Sequence, residues 1–111
     1  MTTSIIANLE KMLSGPRDGA LLRYSLGNEW LKAGHPDQAT VHFREAVTRA
    51  PDYSAAWKML GKALEASGEY EAALDVYRQG ITVATDKGDI QAAKEMTVFA
   101  RRLTRQMPKP E

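Results

Sequence analysis

The sequence predicts an all-α fold: antiparallel helix hairpins stacked in one domain of about six helices. Two observations carry this. First, the stretch LGNEWLKAG at residues 26–34 recurs as LGKALEASG at residues 60–68, a shift of 34 residues. A period of this size marks stacked supersecondary units, each burying its apolar face against the next. Second, apolar residues recur at helical spacing, and the segments they define are bounded by glycine and proline. Composition sets the limits. The chain has 111 residues, is 43% hydrophobic and 26% charged, and balances 15 basic against 14 acidic side chains. It is therefore an ordinary globular composition whose charge favours no class of partner. The absence of cysteine excludes a disulfide framework, a thiolate metal site and a cysteine nucleophile.

The N-terminal segment MTTSIIANLEKML lacks a basic start and an unbroken apolar run, so it reads as structure rather than as a leader. A helix is expected over 4–13, ended by Gly15-Pro16. Its apolar residues Ile5, Leu9, Met12 and Leu13 stand 34 positions before Ala39, Phe43, Ala46 and Val47, which makes it the second helix of a degenerate preceding unit. In the next helix, Leu22, Leu26, Trp30 and Ala33 share one face, and Gly34 followed by Pro36 gives a left-handed stop and a proline start. The following helix carries Ala39, Phe43, Ala46 and Val47 and stops near Ala50, because Pro51 disfavours helix at the residue before it. A second hairpin repeats the pattern with Trp57, Leu60 and Leu64, then Ala73, Leu74, Tyr77 and Ile81. Glycine inside a helix costs roughly 0.5 to 1 kcal/mol against alanine, so Gly27 and Gly61 in register point to a close helix contact. Ala39 and Ala73 are the expected small partners across it. Gly88-Asp89 then supplies a stop and an N-cap, and Ala92, Met96, Phe99, Leu103 and Met107 form the stripe of a C-terminal capping helix. The tail at 108–111 is expected to be disordered.

These residues resemble the tetratricopeptide repeat family, whose 34-residue unit reads W-x2-L-G-x2-Y, A-x3-F, P. Trp57-x2-Leu60-Gly61-x2-Leu64 and Ala73-x3-Tyr77 match in one unit; Leu26-Gly27-x2-Trp30, Ala39-x3-Phe43 and Pro51 match in the other. Arg23 stands where tryptophan is usual, Pro36 where an aromatic is usual, Gly80 where alanine is usual and Thr85 where proline is usual. The resemblance implies a right-handed superhelical stack forming a single domain over 1–107, divided into a cap and linker at 1–19, units at 20–53 and 54–87, and a cap at 88–107. It also implies a concave groove, lined by Leu21, Tyr24, Asn28, Leu31 and Lys32 from the first unit and Ala55, Lys58, Lys62, Glu65 and Ala66 from the second. Such a groove holds a segment of another protein. Lys32, Lys58 and Lys62 against Glu65 give it a positive lining, so an acidic or C-terminal segment is the expected partner, with Tyr24 and Leu31 as apolar anchors. One subset of the family grips chaperone tails with a five-residue clamp; here only Asn28 matches it, while Tyr24, Met59, Asp89 and Ala93 stand at the other positions. A chaperone-tail role is not expected.

Chemistry finds little support. His35 and His42 straddle a turn without a ligand spacing, and the pairs Glu69/Glu71 and Asp86/Asp89 flank turns as capping and solvating charges. No phosphate-binding loop, dinucleotide fingerprint or nucleophile elbow is present. No enzymatic activity, cofactor or metal is expected. No segment reaches the roughly 18 apolar residues of a membrane span, so a cytoplasmic, membrane-free protein is expected. Arg101, Arg102, Arg105 and Lys109 make a basic end that favours the dipole of the last helix; without interleaved exposed aromatics it gives only weak phosphate affinity, so a nucleic-acid or membrane-surface accessory role for this helix is a lesser alternative and nucleic-acid binding is not expected. The alternative to a groove-bound partner is a second copy of the chain, stacked through the apolar ends of the array.

Overall fold

A computed structural model describes residues 2–108, with side chains from Ile5 onward. The described residues form six helices: α1 (Thr2–Glu10), α2 (Ala20–Lys32), α3 (Pro36–Arg49), α4 (Ser54–Ala66), α5 (Tyr70–Lys87) and α6 (Ile90–Gln106). Each helix packs on its chain neighbour, and α6 also reaches back to α4. Gly34, Gly68 and Gly88 all take left-handed φ values of 78–84°, which closes α2, α4 and α5 where the sequence places glycine. The Asp89 carboxylate accepts from the Ala92 backbone N–H at 3.2 Å, capping α6. Of the tail, Lys109, Pro110 and Glu111 lie outside the described residues.

The core runs through both hairpins and into α6. Phe43, Tyr77, Leu26, Leu60, Leu64, Met96 and Leu103 are fully buried. Gly27 and Gly61 do mark close contacts, but the partners differ from expectation. A Cβ on Gly27 would lie 2.5–2.7 Å from the Phe43 ring, and one on Gly61 would press into the Tyr77 ring more closely still. Ala39 and Ala73 are buried nearby without being the facing groups. Aromatic rings lie flat against bare helix backbone in both units, which explains why glycine recurs with Phe43 and Tyr77 at one spacing. Gly80 repeats the arrangement one layer on, where a Cβ would stand 2.5 Å from Met96 Sδ and 2.9 Å from Trp57 Cβ. Alanine is usual at this position in the family; here α6 sits too close for it.

Three further departures have local causes. Helix α1 ends at Glu10, and Lys11 to Ser14 form turns, so Met12 and Leu13 are not on the helix. Ile6, not Ile5, points inward: Ile6 is buried with Leu22 and Leu26, while Ile5 is exposed. An end helix has a neighbour on one side only, so the face it presents is not held to the phase of the internal repeats. Helix α5 runs 18 residues against 14 for α3, because Thr85 stands where Pro51 ended the earlier helix and nothing stops the added turn before Gly88.

Arg23 takes over a linking task. Trp57 donates its indole N–H to the Pro51 carbonyl at 2.8 Å, tying α4 to the loop before it. At the matching place in the first unit, Arg23 donates to both Asp18 carboxylate oxygens at 2.9 and 3.0 Å. Ser14 N–H and Arg49 close on the same carboxylate at 2.9 and 3.5 Å. The Arg23 hydrogen bonds, then that of Ser14, hold the Asp18 carboxyl down at about 2 from an ordinary 3.8. Nearby, His42 is buried with Nδ1 unpartnered. Burial, then the Arg23 charge, lowers its pKa from 6.5, against smaller opposing effects of Glu10 and Asp18.

The two groups predict separate acid windows. Stability should be present above pH 6.5 and fall below it, because the unfolded chain then binds a proton at His42 that the folded chain resists. A further loss should come as the pH drops from 3.8 toward 2, where unfolded Asp18 protonates before the folded carboxylate does. Melting temperatures across this range check both, with His42→Gln flattening the upper window and Asp18→Asn the lower. A His42→Gln protein that keeps the full slope below pH 6.5 would show that another group carries it.

Candidate groove and its C-terminal corner

The groove residues divide into free and occupied side chains. Leu21 is 70% exposed while its neighbour Leu22 is 8% exposed, so the first turn of α2 aims one leucine at the core and one away from it. Tyr24 is half-buried, with its ring 4.9 Å from Tyr53 and 5.9 Å from Phe43. Its packing makes it a wall of the hairpin as much as an anchor. Asn28, Leu31 and Ala55 are half-buried, with Leu31 packed against the core. Lys32 is exposed and pairs with Glu29 at 3.1 Å on its own helix.

The second unit's lining is changed by α6. Lys58 reaches Glu95 at 3.3 Å, which joins α4 to α6 and neutralises one of the groove cations. The Lys62 ammonium lies 4.2 Å from the centroid of the Phe99 ring, and the Arg102 guanidinium carbon stands 5.8 Å from the same centroid. Glu65 accepts a hydrogen bond from the Tyr77 hydroxyl. Burial, then Glu65, drives the Tyr77 pKa up, so the phenol remains a donor. Lys62, Glu65 and Ala66 thus share a cavity of about 390 Å3 with Tyr70, Phe99, Arg102 and Gln106. The residues contributed by α6 were missing from the sequence-based lining. In the sequence Phe99 falls on the capping stripe, and its distance from Lys62 leaves no local periodicity to link them.

Among the described residues no group of three or more His, Cys, Asp or Glu is placed to hold a metal ion, and no helix is long and apolar enough to cross a membrane. His35 sets its ring edge-on to Trp30 at 5.5 Å, and His42 packs inside the first hairpin. Neither is brought to the groove.

Repeated hairpins, glycine–aromatic contacts in register and terminal capping helices define a helical-repeat protein built by stacking. Residues 24–90 match the tetratricopeptide repeat family, and the chain belongs to that family. It is 48% identical over 101 residues to a TPR repeat-containing protein of Pseudomonas aeruginosa, covering 91% of this chain and 96% of that one. Among solved structures it is similar to a protein of Bordetella parapertussis, with 40% identity, a TM-score of 0.80, and 92% and 89% of the two chains covered. A tetratricopeptide repeat domain protein from Salinibacter ruber superposes with a TM-score of 0.78 at 29% identity, over 85% of this chain and 95% of that one. Domains of this family generally mediate protein–protein interaction.

Proposed function

We propose that the protein is a non-catalytic interaction module that holds a segment of a partner protein against the face formed by α2 and α4. The observation that carries this reading is the uncovered Leu21 beside buried Leu22, one turn before Tyr24. A large leucine turned away from a closed core, next to an aromatic wall, offers contact area to a partner at little conformational cost. Lys62 supplies positive charge on the same side of the hairpins, so the partner segment is acidic. With Lys58 engaged by Glu95 and Lys32 by Glu29, Lys62 is the groove lysine free to meet it.

Affinity capture with the intact protein, run in parallel with a Leu21→Ser/Lys62→Glu variant, tests the assignment. Both positions are exposed, so stability should change by no more than about 0.5 kcal/mol per site. The variant should lose the protein that the wild type retains. Equal retention by both would move the working surface elsewhere.

A second reading is favoured by the far end of the stack. Ile90 and Val98 are 54% and 50% exposed on α6, beside a cavity of about 400 Å3 shared with Ile81, Thr85, Ala93, Thr97 and the cations Lys94 and Arg101. A second copy could stack there. Sedimentation of the wild type and of Val98→Glu checks it: a concentration-dependent dimer that the substitution abolishes, and that salt does not disperse, is the result expected of apolar stacking.

A further inference from the structure

The cavity at the corner of α4, α5 and α6 has a composition that the remainder of the groove lacks. Two cations from different helices converge on one aromatic ring: Lys62 from α4 at 4.2 Å and Arg102 from α6 at 5.8 Å. Both are exposed, and among the described residues neither stands within ion-pair distance of a carboxylate. Glu65, which lines the same cavity, accepts from the buried Tyr77 hydroxyl. The other lysines of the lining have found acids, Lys32 on its own helix and Lys58 on α6. Two cations against the single Glu65 carboxylate leave the corner net positive, and an anion placed between Lys62 and Arg102 relieves their mutual repulsion.

We propose that this corner binds an acidic side chain, aspartate or glutamate, within a running segment of a partner protein. The carboxylate sits between Lys62 and Arg102, and its methylene stem rests on Phe99. Arginine suits this because its planar fork takes a carboxylate in two parallel hydrogen bonds, while the lysine adds a point charge. The Gln106 amide at the rim offers both a donor and an acceptor to the backbone of a segment that continues past the site. The proposal rests on the reading of the protein as a groove-binding module and fixes where along the groove the charge is read. That place is the α4–α6 corner, not the α2 end.

The probe is a short oligoglutamate, acetylated at its N-terminus and amidated at its C-terminus, titrated into the isotope-labelled intact protein and followed by NMR, with oligoglutamine as the neutral control. Saturable shifts centred on Lys62, Phe99, Arg102 and Gln106, absent with oligoglutamine, are expected. Arg102→Glu should weaken binding about tenfold, and further when combined with Lys62→Glu, whereas Arg105→Glu, which changes net charge as much as Arg102→Glu on the same helix outside the cavity, should leave it within about twofold. Equal weakening by Arg105→Glu and Arg102→Glu would overturn the site in favour of diffuse attraction. Binding only by an oligoglutamate with a free C-terminus would overturn the assignment to a side chain. Shifts confined to Leu21, Tyr24 and Lys32 would sink the corner while leaving the groove standing, and shifts on neither surface would sink both.

Discussion

Gly61→Leu is expected to lower the melting temperature by about 4–24 °C, whereas Gly19→Leu melts like the wild type. Both changes add the same side chain to a glycine near the start or middle of a hairpin. They differ in what that side chain meets. At Gly19 the backbone is extended, with φ −163°, and a Cβ would find nothing within 4 Å. At Gly61 the Cβ alone would penetrate the Tyr77 ring, with Cδ1 at 2.5 Å and Cζ at 2.7 Å. Tyr77 cannot swing aside, being fully buried and tethered through its hydroxyl to Glu65. Overpacking of this kind costs about 1–3 kcal/mol or more, a large share of the roughly 5–15 kcal/mol available to a domain. In a chain of this size, each 1 kcal/mol moves the melting temperature by about 4–8 °C. Gly61→Ala sharpens the test. Alanine would normally gain up to about 1 kcal/mol over glycine in a helix interior, so a loss of stability at this position reports the ring and not the backbone. Thermal denaturation of the three variants is sufficient, and equal midpoints would remove the glycine–aromatic contact as a determinant of the fold.

This contact also shows how far the sequence could be read. The period of 34 residues located Gly27 and Gly61, and helical energetics required a close neighbour for each. Periodicity alone could not choose that neighbour, because Ala39 and Phe43, like Ala73 and Tyr77, lie one turn apart on the same helix and both face inward. The small residue was the natural expectation, yet a flat ring fits bare backbone as closely. Turn chemistry carried further: Gly34, Gly88 and Asp89 adopt the stop and cap conformations that their residue types favour. Features governed by a single neighbour were harder. The inward face of α1 follows Ile6 because only α2 and its surroundings constrain it. Contacts between distant elements, such as Lys58 with Glu95 and Lys62 over Phe99, follow from how α6 returns across α4. No local pattern records that path, and so the α6 half of the candidate site was not legible.

Removing α6 by ending the chain at Gly88 should convert the protein into an aggregating or loosely packed species. The helix contributes Met96 and Leu103, both without exposure, and nearly buried Ala92. Its Phe99 ring lies 5.8 Å from Tyr77, and Met96 fills the space opened by Gly80. Truncating a single buried leucine or methionine to alanine typically costs 2–5 kcal/mol, and the deletion removes two such side chains together with the cover over Tyr77 and Gly80. The newly exposed strip would be continuous and apolar, which favours association between chains. Because a deletion can fail for reasons of expression, Leu103→Asp in the full-length chain supplies an independent reading: it keeps every residue of the groove and places an unpaired carboxylate in the core of the cap. Sedimentation and thermal melting of both proteins are the measurements. A truncated chain that stays monomeric with the wild-type midpoint, or a Leu103→Asp protein as stable as its parent, would mean that α5 closes the stack unaided. The Lys62–Phe99–Arg102 corner would then be a loose attachment instead of a built surface. If both variants collapse as expected, the same helix that seals the core also presents half of the proposed binding site, and the site cannot be removed by truncation without opening the core.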